Sequence, residues 1–220
     1  MKAVVFDMDG VLFDTERLCM NSWVAEAEAL GLAGMKEIYP LCIGRNANDD
    51  RQTLEEAYGA EFDFDGFCER ARERMRRDIA ENGLPVKPGI NELLEWLKEE
   101  GFSVGLASST GRDFVLSHLE KAGMSGCFSV VIGGDMVEHS KPQPDIYRLA
   151  CERLGVNPKE AYAIEDSPNG IRAAHAAGMC PIMVPDMIMP DVEMQRLSRV
   201  IKKDLTEVLW YLQQERKKEQ

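Results

Sequence analysis

Beyond residue 90, short strand patterns alternate with helical patterns, and this alternation allows few folds. The strand patterns cover residues 102–107, 128–132 and 161–164. Alternating strands and helices predict a parallel sheet with right-handed crossovers and helices on both faces. A last strand at 180–184 contains Pro181, which predicts an edge strand or a loop.

The start of the chain belongs to the same sheet but is separated from it by a long helical stretch. Residues 3–6 have the apolar composition of a buried strand, whereas residues 15–82 show helical spacing and no strand pattern. A linker rich in Gly and Pro follows. The predicted fold class is therefore α/β, a doubly wound, Rossmann-like parallel sheet core (residues 1–14 and 83–220) with an inserted all-helical domain (15–82).

Charge and composition narrow the possible partners. The net charge of −12 argues against nucleic acid and anionic membranes, which basic surfaces bind. A phosphorylated substrate stays possible, because a bound divalent cation reverses the local field. The longest apolar runs fall far short of the ~20 residues of a membrane span. Six cysteines without a C-x-x-C pair predict free thiols in a reducing compartment, and the strand begins directly after Met1-Lys2, so we expect a cytoplasmic protein without a signal peptide.

Polar side chains follow four consecutive strand patterns, at the points where the strands end. An Asp-x-Asp-Gly motif alone equally describes a strand that ends at the surface. In a doubly wound sheet, however, the carboxyl ends of the strands meet at one edge, where ligands bind. The convergence therefore favours a functional site over solvated loop ends, with the candidates Asp7, Asp9, Ser108, Lys141, Glu165 and Asp166.

The chemistry of these groups is mutually consistent. Crowded carboxylates raise one another's pKa values unless a cation neutralises them. A ligand set of oxygen atoms, without His or Cys, points to Mg²⁺ as the cofactor. Lys141 and the hydroxyl of Ser108 then remain to hold the oxygens of an anion, most simply a phosphoryl group.

The same residues carry a family resemblance. The chain resembles the haloacid dehalogenase-like superfamily, in the branch with a helical cap domain inserted after the first strand. The motifs Asp7-x-Asp9, Ser108, Lys141 and Glu165-Asp166 occur in the order typical of that family. The segment 6–16 is most similar to the β-phosphoglucomutase-like and sugar-phosphate phosphatase group.

The resemblance implies a role for each matching residue. Asp7 would attack phosphorus and form an aspartyl-phosphate, and Asp9 would serve as acid and then as base. Mg²⁺ would be held by Asp7, the carbonyl oxygen of Asp9 and Asp166, with Glu165 binding it directly or supporting the ligands. Ser108 and Lys141 would stabilise charge on the transferred group. Substrate contacts are expected from Ser108, Ser109 and Lys141, and from Gly44 and Arg45 in a cap loop.

Two readings of the function compete within that family. The similar mutases carry a histidine near position 19 and an arginine near position 47, where this chain has Cys19 and Ala47, with Arg45 close by. We therefore expect a monomeric Mg²⁺-dependent phosphatase of small phosphorylated metabolites, with sugar phosphates first, and a phosphosugar mutase as the alternative. A phospho-receiver signalling domain is a more distant alternative, because such domains are about half as long. Five arginines between 70 and 77 predict a solvated helix face.

Overall fold

The structure is a computed structural model that describes residues 1–43 and 47–219, and it divides the chain into two compact units. The first unit comprises Met1–Phe13 and Val86–Gln220, and the second comprises Asp14–Pro85. The helical unit thus extends one residue before and three residues after the expected range 15–82.

The described part of the first unit contains a six-stranded parallel sheet. Its strands are β1 (Ala3–Phe6), β2 (Ser103–Ala107), β3 (Val130–Ile132), β4 (Ala161–Glu165), β5 (Cys180–Met183) and β6 (Val200–Ile201). They lie in the order β3-β2-β1-β4-β5-β6. This is the doubly wound Rossmann order, which confirms the predicted fold class. The direction of winding changes at β1, so ligands are expected beyond its carboxyl end.

Helices connect the strands and cover both faces of the sheet. In chain order they are α5 (Ile90–Glu99), α6 (Arg112–Lys121), α7 (Asp145–Leu154), α8 (Pro168–Ala176), α9 (Val192–Leu197) and α10 (Leu205–Glu219). The helices of the second unit are α1 (Thr15–Ala29), α2 (Met35–Ile38), α3 (Ala47–Tyr58) and α4 (Phe64–Asn82). Within the described residues, no helix combines the length and apolarity that a bilayer crossing requires.

The prediction for Pro181 is wrong, because β5 pairs with β4 on one side and with β6 on the other. The two-residue β6 is too short to show a hydrophobic period, so no sequence pattern predicts it. The Pro181 carbonyl accepts a hydrogen bond from the Arg199 N–H at 2.7 Å. The N–H and C=O of one strand residue point to the same side of the strand, so the backbone nitrogen of Pro181 also points toward the β6 side. The residue opposite it there precedes the start of β6, so the N–H that proline lacks is not needed for pairing with β6.

The core lies between the central strands and the helices packed on them. All four residues of β1 are fully buried. On one face, small side chains of the strands meet apolar residues of α7 and α8, which lie close to the sheet for that reason. Tyr147 of α7 is a fully buried member of this cluster.

The second unit is held together by α1 and α4. The ring of Trp23 contacts Phe67 and Tyr39 edge-on, with centroids 5.4 and 5.2 Å away. Glu26 is almost fully buried and accepts hydrogen bonds from Arg70 at 2.6 Å and from Arg74 at 2.7 Å. Two of the five arginines expected on a solvated face therefore compensate a buried carboxylate.

The ends of the helical unit lie beside each other. Within that unit the N–H of Asp14 donates to the carbonyl of Pro85 at 3.0 Å. In the sheet unit, the N–H of Lys87 donates to the carbonyl of Leu12 at 2.8 Å. The two connecting segments therefore run side by side where the chain passes from one unit to the other.

Candidate active site

The candidate residues lie at the carboxyl ends of three neighbouring strands. Asp7 directly follows β1, and its N–H donates to the carbonyl of Ile164 at 2.9 Å. Ser108 directly follows β2, and Glu165 is the last residue of β4. Because β1 lies between β2 and β4, the backbone ladder places Asp7 in the middle of this edge, where the winding changes direction.

Lys141 joins two of the carboxylates. Its Nζ lies 2.5 Å from Asp7 Oδ1 and 2.6 Å from Glu165 Oε1, and it also donates to the carbonyl of Ala107 at 3.1 Å. Its side chain is 6% exposed, so these ion pairs are shielded from water. Burial opposes the charged form of Lys141, but Asp7 and Glu165 outweigh burial and hold the Lys141 pKa above its usual value.

Glu165 is a fully buried carboxylate whose two oxygens both accept hydrogen bonds. Oε1 accepts from Lys141 and from the hydroxyl of Tyr147, the latter at 2.7 Å. Oε2 accepts from the N–H of Ser167 at 3.3 Å and from its hydroxyl at 3.1 Å. Ser167 also caps α8, because its hydroxyl accepts a hydrogen bond from the N–H of Gly170. The carboxylate is thus fixed by four donors.

An acidic group lies at the centre of the site. Asp7, Glu165 and Asp166 each bring one carboxylate oxygen to within 4.8 Å of the others. Burial raises the pKa of Asp7 well above its usual value; Lys141 opposes this shift, and Glu165 and Asp9 reinforce it. Three carboxylate oxygens at this spacing are hard ligands that fit a divalent cation such as Mg²⁺.

Gly10 lets the chain pass close to this group. Its φ of +78° is in the left-handed region, where side chains are disfavoured. A Cβ at this position would lie 2.2 Å from Asp166 Oδ2. The Asp-x-Asp-Gly motif therefore needs its glycine both for the turn after Asp9 and for the space that Asp166 occupies.

The Asp9 carboxylate lies apart from the acidic group and has its own donors. Its Oδ2 accepts from the hydroxyl of Thr110 at 3.0 Å and from the hydroxyl of Ser108 at 3.4 Å. Ser108 in turn accepts the N–H of Thr110 at 3.1 Å. The Asp9 carboxylate is not a member of the acidic group of Asp7, Glu165 and Asp166, which agrees with the family resemblance, where the backbone carbonyl of Asp9 would bind the metal.

Three residues predicted to contact substrate remain, and the structure describes only one of them. Ser109 is exposed beside this group. Gly44 and Arg45, expected to contact substrate, lie outside the described residues. Sequence reasoning missed Tyr147 and the contact between Thr110 and Asp9. The cap of α6 is Gly111, so the hydroxyl of Thr110 is free to serve Asp9.

The sheet has the Rossmann strand order, and the carboxylates paired with Lys141 lie where the direction of winding changes. These features together define an α/β enzyme whose site suits an anionic substrate. Comparison with known proteins specifies the family. A sequence model of the haloacid dehalogenase-like hydrolases matches residues 1–178. The chain is 35% identical over 179 residues to a phosphorylated carbohydrates phosphatase of Thermotoga maritima, covering 81% of this chain and 82% of that protein.

Solved structures agree with this match. A Thermotoga maritima protein, which its name assigns to the β-phosphoglucomutases, superposes with a TM-score of 0.82 at 31% identity, covering 97% of this chain and 99% of that one. CbbY of Rhodobacter sphaeroides, crystallised with phosphate, gives a TM-score of 0.75 at 28% identity, covering 94% and 96%.

The chain belongs to the haloacid dehalogenase-like hydrolases. It is an enzyme of their phosphatase type, with β-phosphoglucomutase-like proteins among its structural neighbours. The hydrolase match runs against the phospho-receiver alternative.

Proposed function

We propose that this protein is a Mg²⁺-dependent phosphatase of small phosphorylated metabolites, with phosphorylated carbohydrates as the first substrate class. The observation that carries the proposal is the pair of separated aspartates. Asp7 is buried and ion-paired with Lys141, whereas Asp9 is partly exposed and held by Thr110. Two carboxylates in such different surroundings suit different tasks, one as nucleophile and one as acid and base.

In the proposed reaction, an Asp7 oxygen attacks phosphorus and the ester P–O bond breaks. Asp9 gives its proton to the departing alcohol oxygen and then removes a proton from the water that attacks the aspartyl-phosphate. The P–O bond to Asp7 breaks, which returns the carboxylate and releases inorganic phosphate. Lys141 and Ser108 hold oxygens of the transferred group throughout. Asp7, the Asp9 carbonyl and Asp166 would hold Mg²⁺, which supplies positive charge against the phosphoryl oxygens when bound.

The choice of phosphatase over mutase is supported by the named activity of the Thermotoga maritima relative and by Cys19 and Ala47, which replace the two polar residues expected of a mutase. The predicted cap role of the helical unit, its contacts at Gly44 and Arg45, the monomeric state and the cytoplasmic location remain predictions.

A phosphate-release screen over sugar, polyol, glycerol and nucleoside phosphates with Mg²⁺, run beside a hexose-phosphate isomerisation assay, tests the proposal. We expect phosphate release from at least one sugar phosphate, with Asp7→Asn inactive and Lys202→Ala as a surface control of normal activity. Conversion of hexose 1-phosphate to 6-phosphate faster than phosphate release would favour the mutase. Full activity of Asp7→Asn would contradict the mechanism.

A further inference from the structure

Tyr147 contacts two members of the site but has no part in the mechanism above. It lies in the first turn of α7 and is fully buried. Its hydroxyl donates to Glu165 Oε1 at 2.7 Å, and its ring centroid lies 5.0 Å from Lys141 Nζ. We propose that Tyr147 is a positioning residue, which fixes the Lys141 ammonium beside Asp7 by orienting Glu165.

The first step of the argument concerns the orientation of Glu165. Its Oε1 is shared by Lys141 and Tyr147, and its Oε2 is held by Ser167. Without the tyrosine hydroxyl, Oε1 keeps a single donor on a flexible lysine, and the carboxylate is free to rotate toward Ser167. The hydroxyl of Tyr147, carried by a helix in the core, is the rigid member of this set.

The second step concerns Lys141 itself. It lies outside the helices and strands, in the segment before α7, and reaches the site through a long side chain. Two carboxylates hold its charge, and one of them, Asp7, is the proposed nucleophile. Once Asp7 carries a phosphoryl group, Glu165 is the anion that keeps the ammonium in place. Its orientation then matters most when charge develops on the phosphoryl oxygens.

The tyrosine ring adds a separate contribution. Its face lies within the ~6 Å at which an aromatic ring attracts a cation. Tyr147→Phe keeps the ring and removes only the hydroxyl, whereas Tyr147→Leu removes both. The two variants therefore separate the hydrogen bond to Glu165 from the support beneath the ammonium.

This inference rests on the proposed phosphatase function, and p-nitrophenyl phosphate with Mg²⁺ is the substrate of its test. We expect Tyr147→Phe to lower kcat about tenfold, which corresponds to ~1.4 kcal/mol, with KM nearly unchanged. Tyr147→Leu should lower kcat further. In a Glu165→Gln background, the change to Phe should have little additional effect, because its action passes through Glu165.

Tyr162→Phe is the matched control, since it removes the hydroxyl of another buried tyrosine, from the strand that ends in Glu165. A second readout is the affinity for orthovanadate measured by calorimetry, which needs no turnover. We expect Tyr147→Phe to bind vanadate about tenfold more weakly and Tyr162→Phe to bind it as the wild type does.

Three results would overturn the inference. They are equal kcat values for Tyr147→Phe and the wild type, a lower kcat with unchanged vanadate affinity, and a wild-type protein that binds no vanadate. A wild-type enzyme that binds vanadate but releases phosphate from no ester would contradict the proposed function and leave the positioning role supported by the binding data.

Discussion

Substitution of Gly170 by alanine tests whether Glu165 is held as tightly as the structure indicates. A Cβ at this position would lie 1.9 Å from both the carboxyl carbon and Oε1 of Glu165, and 2.1 Å from Oε2. Ordinary contacts begin near 3.4 Å, so the carboxylate or the start of α8 has to move by more than 1 Å. Because Glu165 is fully buried, it cannot move without weakening its bonds to Lys141, Tyr147 or Ser167.

The expected magnitude follows from those bonds. Loss of two hydrogen bonds to a charged group costs ~3–6 kcal/mol. Replacement of a helical glycine by alanine returns ~1 kcal/mol. The free energy of unfolding should therefore fall by ~2–5 kcal/mol, which lowers the melting temperature by roughly 5–20 °C in a chain of this size. We expect kcat to fall at least tenfold, since Lys141 loses its anchor.

Urea denaturation and phosphate release measure the two effects. His175→Ala is the matched control, because His175 is exposed on the same helix and its replacement should change stability by no more than ~0.5 kcal/mol. A Gly170→Ala protein with wild-type stability and wild-type kcat would refute the reasoning, since it would mean that Glu165 has room that the structure does not show.

Three further outcomes are expected. Mg²⁺ should raise the melting temperature of the wild type, Asp7→Asn should reduce that gain, and unchanged activity in excess EDTA would contradict the metal site. Thr110→Val should lower kcat about tenfold with little change in melting temperature, because it removes the 3.0 Å donor to the proposed acid; wild-type kcat would exclude that role. Burial raises the pKa of Glu26, but hydrogen bonds from Arg74 and Arg70 outweigh it, so the folded-state pKa is lowered. The stabilisation is therefore present above the usual glutamate pKa and lost as pH falls through the folded value, and the melting-temperature deficit of Glu26→Gln should shrink over that range.

The parts of this fold that the sequence predicted depend on local patterns. The buried strand at 3–6 is a continuous apolar run, and apolar residues recur at helical spacing over 90–99, so both elements are recognisable from sequence. The ends of parallel strands lie at the same edge of a sheet, and this does not depend on the conformation of the loops. For that reason Asp7, Ser108 and Glu165 were correctly expected at one edge of the sheet.

The parts that could not be predicted depend on contacts between distant positions. Tyr147 donates to a carboxylate 18 residues away, and nothing in the helical pattern of α7 separates it from an ordinary core residue. Likewise, Arg70 and Arg74 pair with Glu26 across 44 and 48 residues, so their helix face was assigned to solvent. Local periodicity indicates which side of a helix is buried, but it does not indicate which polar residue that side contacts in the folded protein.

The meeting of the chain ends at Asp14 and Pro85 has a consequence for how such a protein can be altered. A segment that leaves and re-enters a host fold at adjacent points adds little strain to it, however long the segment is. Residues 14–85 are therefore a segment that could be removed or exchanged as one piece. After its removal, a short glycine-serine linker would connect Phe13 to Val86. Exchange of this segment between relatives would replace the helical unit without rebuilding the sheet.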